Sequence, residues 1–181
     1  YGFLLHLYYG KKTDGSCMDY LLTYYDRGFS GNPFDAGDDR TYSMDALPQE
    51  YPSYGTGDYR STALISENVD GSTACDLRYR SHHIFNGKYK IPGLPAVYAA
   101  ETESQTLEIV MEDAVTGVEV TVQYGVLPDY DVITRSEKIV YRGEGKIFIR
   151  KAQSACLDFV QGKYDLLTFY GRHAMERRLQ R

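Results

Sequence analysis

The alternation of residues 106–149 constrains this chain more than any other feature. Leu107, Ile109 and Met111 share one face of a stretch that breaks between Asp113 and Gly117. Val118, Val120, Val122 and Tyr124 share one face of the next stretch, with Glu119, Thr121 and Gln123 opposite. Successive strand side chains point to opposite sides, so a period of two predicts a β-hairpin with one apolar and one polar face. Pro128, Asp129 and Asp131 predict a second turn and residues 132–141 a third strand. Gly143 and Gly145 predict a turn into a fourth strand at 147–149. Four consecutive antiparallel strands make a meander, and the rest of the chain must cover its apolar face.

The flanking segments also read as strand and loop. Residues 3–9 form a short apolar run closed by Gly10, Asp14 and Gly15, which predicts a strand; 19–25 fits helix or strand equally. Residues 26–39 lack periodicity. In 41–54 the pairs Leu47-Pro48 and Tyr51-Pro52 bias the backbone away from helix, so a long loop is expected. Tyr42, Leu47, Tyr51 and Tyr54 are available to anchor it, and loops of this length in compact domains carry function or lack order; here order is expected. Further strands are predicted at 60–66, 74–85, 97–100, 155–160 and 166–170, with 171–181 a short helix or strand. The total is about ten strands with little helix, an all-β chain folding as a large antiparallel sandwich.

Size and charge exclude several classes of function. A chain of 181 residues is large enough for one core and needs no second domain. Its net charge of -5 comes from interspersed signs with no basic run, which argues against nucleic acid as a partner. No apolar run reaches the roughly 18–20 residues of a membrane span, and the start at Tyr1 lacks the pattern of a secretory leader; a chain beginning at tyrosine is expected to be cut from a longer one. Cys17, Cys75 and Cys156 are odd in number and widely spaced, giving no zinc or redox motif, so a reducing, cytoplasmic setting is expected. The 18 tyrosines suit half-buried strands, subunit interfaces and sugar-facing surfaces alike.

Chemistry has few footholds. The densest polar loop is 50–60, where Gly55 and Gly57 permit tight turns and Glu50, Asp58 and Arg60 offer hydrogen bonds to hydroxyls. The alternative is structural, with Asp58 capping the turn and pairing with Arg60. Glycoside hydrolysis needs two carboxylates about 5 Å or about 7–9 Å apart, and neither Glu112 with Asp113 nor Asp129 with Asp131 is distinguished from ordinary turn acids. His82 and His83 point to opposite faces of a strand and do not jointly suit one metal. No metal or cofactor is expected.

In order and spacing, several segments together resemble the N-terminal β-supersandwich domain of family 36 glycoside hydrolases, the bacterial-type α-galactosidases. They are Leu5-His6-Leu7-Tyr8-Tyr9-Gly10, Leu47-Pro48-Gln49-Glu50-Tyr51-Pro52, Gly55-Thr56-Gly57-Asp58-Tyr59-Arg60, Asp76-Leu77-Arg78-Tyr79, Gly87-Lys88, Gly93-Leu94-Pro95-Ala96, Glu103 through Leu107-Glu108, Asp131-Val132-Ile133-Thr134-Arg135-Ser136 and Leu157-Asp158. The segment after Gly171-Arg172 departs, with His173 where tryptophan is common.

The resemblance implies one domain over 1–181 that lacks its first strand or two, leaving an open edge able to pair with another copy. It implies that the catalytic aspartates lie on a (β/α)8 barrel following residue 181, so that this chain alone is inactive. It implies a homo-oligomer, tetrameric in the complete enzyme, in which the 50–60 loop approaches a neighbouring active site. Asp58 would then contact a sugar hydroxyl, Arg60 would hold Asp58, and Tyr54 and Tyr59 would wall the pocket; Asp58→Ala is expected to weaken substrate handling far more than folding. Two other classes compete with this one: a free-standing carbohydrate-binding sandwich and a pure oligomerisation module.

Overall fold

A computed structural model of the chain describes residues 1–14, 17–22, 24, 26, 31–159 and 161–180. Eight strands are present among them: β1 (Leu64–Glu67), β2 (Arg78–Asn86), β3 (Gln105–Asp113), β4 (Val118–Leu127), β5 (Val132–Tyr141), β6 (Phe148–Ala152), β7 (Thr168–Arg172) and β8 (Met175–Gln180). Helix among the described residues is limited to three single 3-10 turns, Asp19–Leu21, Phe34–Ala36 and Pro128–Tyr130. The chain is all-β, with antiparallel sheets arranged as a sandwich-like assembly joined by long loops.

The period-two pattern sets the register. Val120 lies between Met111 and Ile139, and Val122 between Ile109 and Glu137. Val118, Val120 and Val122 are fully buried, while Glu119, Thr121 and Gln123 line the other face. Burying a valine side chain stabilises by about 1.5–3 kcal/mol, so this one strand anchors the core. The opposing layer supplies Tyr51, Ala63, Leu64, Cys75 and Leu77, with Leu4, Ile147 and Cys156 packed at the margin. Most of that layer is ordered loop rather than strand, together with the β1–β6 pair.

Three expectations are corrected. First, the meander's fourth strand does not pair with β5. The four-stranded sheet runs β2-β3-β4-β5, and β6 crosses to β1. The reason lies in residues 142–147: Arg142 N donates to Gly117 O at 2.7 Å and Tyr141 Oη to Glu144 O at 2.6 Å. These bonds fold the connection over the β3–β4 turn, away from the free edge of β5. Second, residues 3–9 form no strand. They are extended and make one bridge, Leu5 with Gln49, because the segment alongside carries Pro48 and Pro52, which have no N–H for a continuing ladder. Third, 97–100 and 155–159 are irregular, with Val97, Tyr98, Leu157 and Phe159 exposed. At the first of these, Glu103 N donates to Ala100 O and Ala100 N to Glu103 Oε2, so a turn takes the bonds a ladder would use.

The ambiguous 19–25 segment contains the 3-10 turn Asp19–Leu21, with residues 23 and 25 outside the described residues. The chain's last segment is strand β8.

Candidate functional site

The 50–60 loop is held by its own carboxylates. Asp58 turns inward, its side chain 2% exposed. Oδ1 accepts from Arg60 N at 3.0 Å and Arg60 Nε at 2.9 Å; Oδ2 accepts from Arg60 Nη2 and Gln49 Nε2, both at 2.9 Å. This is a two-pronged guanidinium–carboxylate pair with every strong acceptor direction used. Arg60 also donates to Met44 O and Leu47 O and, through Nη1, to Asp158 at 3.2 Å, tying the loop to the preceding and C-terminal segments. Its hydrogen bonds to Asp58 raise its pKa, outweighing burial. Tyr54 and Tyr59 point outward; Tyr59 is 86% exposed.

Glu50, the other carboxylate of the loop, is also buried. Its Oε1 accepts from Arg135 Nη1 and Tyr124 Oη, its Oε2 accepts from His6 Nδ1 at 2.8 Å, and its carbonyl accepts from Arg135 Nη2 at 3.0 Å. Tyr124 and Arg135 are cross-strand partners on β4 and β5, so the period that builds the core also places a polar pair at its end. Burial, and then the hydrogen bond to Glu50, push the Tyr124 phenol well above its usual range. Burial likewise raises Glu137, against the pull of Arg135. Tyr51 Oη, Glu137 Oε2 and Arg135 Nε are buried without a hydrogen-bond partner among the described residues. Sequence reading names Glu50 but not Arg135 or Tyr124 as its partners, because they lie 85 and 74 residues away.

The structure therefore joins Asp58 to Arg60, and leaves Tyr54 and Tyr59 on the surface without a partner shared with Asp58 or Arg60. A groove of about 620 Å³ lined by Asn68, Asp76, Asp113, Tyr141 and Glu144 meets this loop only at Gly55. Asp113 there is a turn cap, accepting from the N–H groups of Val115 and Thr116. Glu112 pairs with Arg80 on the outer face. His82 bonds Tyr79 Oη while His83 stacks on Phe85. Among the described residues, no group of three or more His, Cys, Asp and Glu side chains is arranged to hold a metal ion. No helix among them is long and apolar enough to cross a membrane.

A two-layer β-domain with a hydrogen-bonded polar loop and outward tyrosines defines a sandwich module, and comparison with known proteins gives its family. The glycosyl hydrolase family 36 N-terminal domain profile matches residues 2–181, and the chain belongs to that family. It is 63% identical over 180 residues to the bifunctional alpha-galactosidase/sucrose kinase AgaSK of Mediterraneibacter gnavus, covering 99% of this chain and 19% of that protein. It is 41% identical to alpha-galactosidase AgaA of Geobacillus stearothermophilus, covering 99% of this chain and 25% of that protein. The galactosidase domain of AgaSK superposes with a TM-score of 0.93 at 63% identity, over 99% of this chain and 25% of that one. A variant of AgaA in complex with raffinose superposes with a TM-score of 0.91 at 40% identity, over the same shares. The chain thus spans between about a fifth and a quarter of the length of these relatives.

Proposed function

We propose that this chain is the non-catalytic N-terminal domain of a retaining α-galactosidase that hydrolyses terminal α-galactosyl residues of melibiose- and raffinose-type sugars. The observation that carries the proposal is the match of nearly the whole chain, at 63% identity, to a fraction of a larger α-galactosidase. On this reading the catalytic carboxylates lie on a (β/α)8 barrel elsewhere in the polypeptide, after residue 181. The domain contributes to a homo-oligomer, tetrameric in the complete enzyme, and its 50–60 loop lies near a neighbouring subunit's active site. Partners are the enzyme's own barrel, further copies and a galactoside, with no nucleic acid and no membrane. A cytoplasmic setting accords with the free thiols of Cys17, Cys75 and Cys156.

Within the loop, Tyr54 and Tyr59 already face outward and wall the sugar without rearrangement. Asp58 reaches a sugar hydroxyl only when Gln49 or Arg60 releases one of its oxygens, and Arg60 sets its position. Release of p-nitrophenol from a p-nitrophenyl α-galactoside tests the proposal, with activity expected from the complete polypeptide and none from residues 1–181. Turnover by the isolated chain would overturn it.

A further inference from the structure

β5 carries a charge where its alternation calls for an apolar side chain. Arg135 and Ile139 share the strand face that meets Tyr124 and Val120 of β4, and that face closes over the core. The side chains of Arg135 and its partner Glu50 are 12% and 8% exposed. Taking two charges out of water costs about as much as their attraction returns, and a well-packed apolar group of similar volume is often as stable or more so. Fold stability therefore gives no reason for an ion pair at this position. What the pair supplies, and an apolar group does not, is direction.

Arg135 grips Glu50 at two points, Nη1 donating to the carboxylate and Nη2 to the main-chain carbonyl at 3.0 Å. Glu50 N donates to Leu4 O at 2.9 Å, Tyr124 Oη donates to the same carboxylate oxygen as Arg135, and His6 Nδ1 meets the other at 2.8 Å. A planar guanidinium fixes angle as well as distance, so the backbone enters the 50–60 loop in one orientation. At the far end Arg60 holds Asp58 with a second fork. Between the forks Tyr54 N donates to Leu64 O at 3.1 Å, and Tyr54 O accepts from Cys75 N at 2.9 Å. All of these partners lie on this chain.

We infer that Arg135 is a positioning residue for sugar binding: through Glu50 it sets the orientation of the 50–60 loop, and with it the outward Tyr54 and Tyr59, while adding little to the stability of the fold. The inference rests on the proposal that this loop walls the galactoside of an α-galactosidase.

The test replaces the whole polar group in the complete polypeptide. Glu50→Leu, Tyr124→Phe and Arg135→Met together leave no carboxylate or guanidinium unpaired, and His6, 23% exposed, can turn to water. This triple variant is expected to keep amide-exchange protection at Val120 and Val122 in the core and to lose it at the Tyr54 N–H. With p-nitrophenyl α-galactoside, KM should rise at least about three-fold while kcat is retained. Arg135→Lys, which keeps the charge without the fork, should raise KM by itself. Glu119→Gln is the control: it removes a carboxylate from the outer face of β4, where Glu119 pairs with Arg80 and Arg142, and should leave KM and Tyr54 protection unchanged.

Loss of protection at Val120 and Val122 in the triple variant overturns the inference by assigning the pair to stability. Wild-type KM and Tyr54 protection overturn it, as does a fall in kcat with KM unchanged. Absence of turnover in the wild type removes the α-galactosidase proposal instead, and exchange at Tyr54 then decides by itself whether Arg135 orients the loop.

Discussion

At the residue scale, Asp58 shows what a motif leaves undecided. Its place in Gly55-Thr56-Gly57-Asp58-Tyr59-Arg60 makes it a sugar-contact candidate and a turn cap at once, and only the geometry shows both oxygens already bonded. Asp58→Ala strips Gln49 and the Arg60 side chain of their shared acceptor. Arg60 keeps other carbonyl partners and part of its hydration, so the expected loss of stability is about 1–3 kcal/mol, below that of a fully buried pair. Urea unfolding of the isolated chain reads this directly. Asp58→Asn, which keeps the shape and one acceptor, should recover part of the loss. An Asp58→Ala variant as stable as wild type would mean that the carboxylate does not hold the loop. Any kinetic effect of Asp58→Ala on the proposed α-galactosidase has to be measured where the variant is fully folded.

At the element scale, the β3–β4 hairpin is legible in the sequence because its burial is one-sided. The alternation of Val118, Val120 and Val122 survives in the structure residue for residue. The route of β6 is not legible. Its Phe148 and Ile149 suit a strand against either β5 or β1, and the choice is made by a contact between two turns, Gly117 with Gly143. The covering layer is equally hidden, since Leu4, Tyr51 and Leu77 reach the core from irregular backbone with no period to detect. The Glu50–Arg135 pair has the same origin, as local spacing carries no record of partners joined by the fold.

Gly117 tests the turn contact. It sits at φ +78, and a Cβ there would lie 2.7 Å from the backbone nitrogen of Gly143. The left-handed conformation alone costs a non-glycine residue about 1–2 kcal/mol, and backbone cannot yield as a side chain end does. Gly117→Ala should therefore destabilise by more than about 2 kcal/mol in denaturant unfolding. Gly71→Ala, at φ +83 with open space around it, should show only the conformational part. Equal losses at the two sites would remove the turn contact from the account of how β6 is directed.

At the scale of the whole molecule, two kinds of attachment hold the chain together, and they should respond differently to acid. The β2–β5 sheet and its core are joined by ladders and by apolar residues that do not titrate near neutrality. Among the described residues, the N-terminal segment packs Leu4 at the core margin and is otherwise strapped to the sheet by single bonds and charges, Tyr79 N to Gly2 O at 2.7 Å and Arg78 to Asp35, while Tyr1 Oη to Asp39 at 3.0 Å closes the segment on itself. The hydrogen bonds from Arg78 hold the Asp35 carboxyl below the usual carboxylate range, and those from Thr41, then Tyr1, do the same for Asp39. A carboxyl lowered in the folded state stabilises that state above its unfolded pKa of about 4 and loses this contribution as pH falls through the lower folded value. The strap should thus loosen below about pH 4 while the sheet persists. In amide exchange across an acid series, corrected for intrinsic rates, protection of the Tyr79 and Glu50 N–H groups should fall at higher pH than that of Val120 and Val122. Both Tyr79 and Glu50 donate to the strap, at Gly2 and Leu4, so they report its release directly. Simultaneous loss at all four sites would mean that strap and sheet unfold as one unit and that the carboxylates do not govern the attachment.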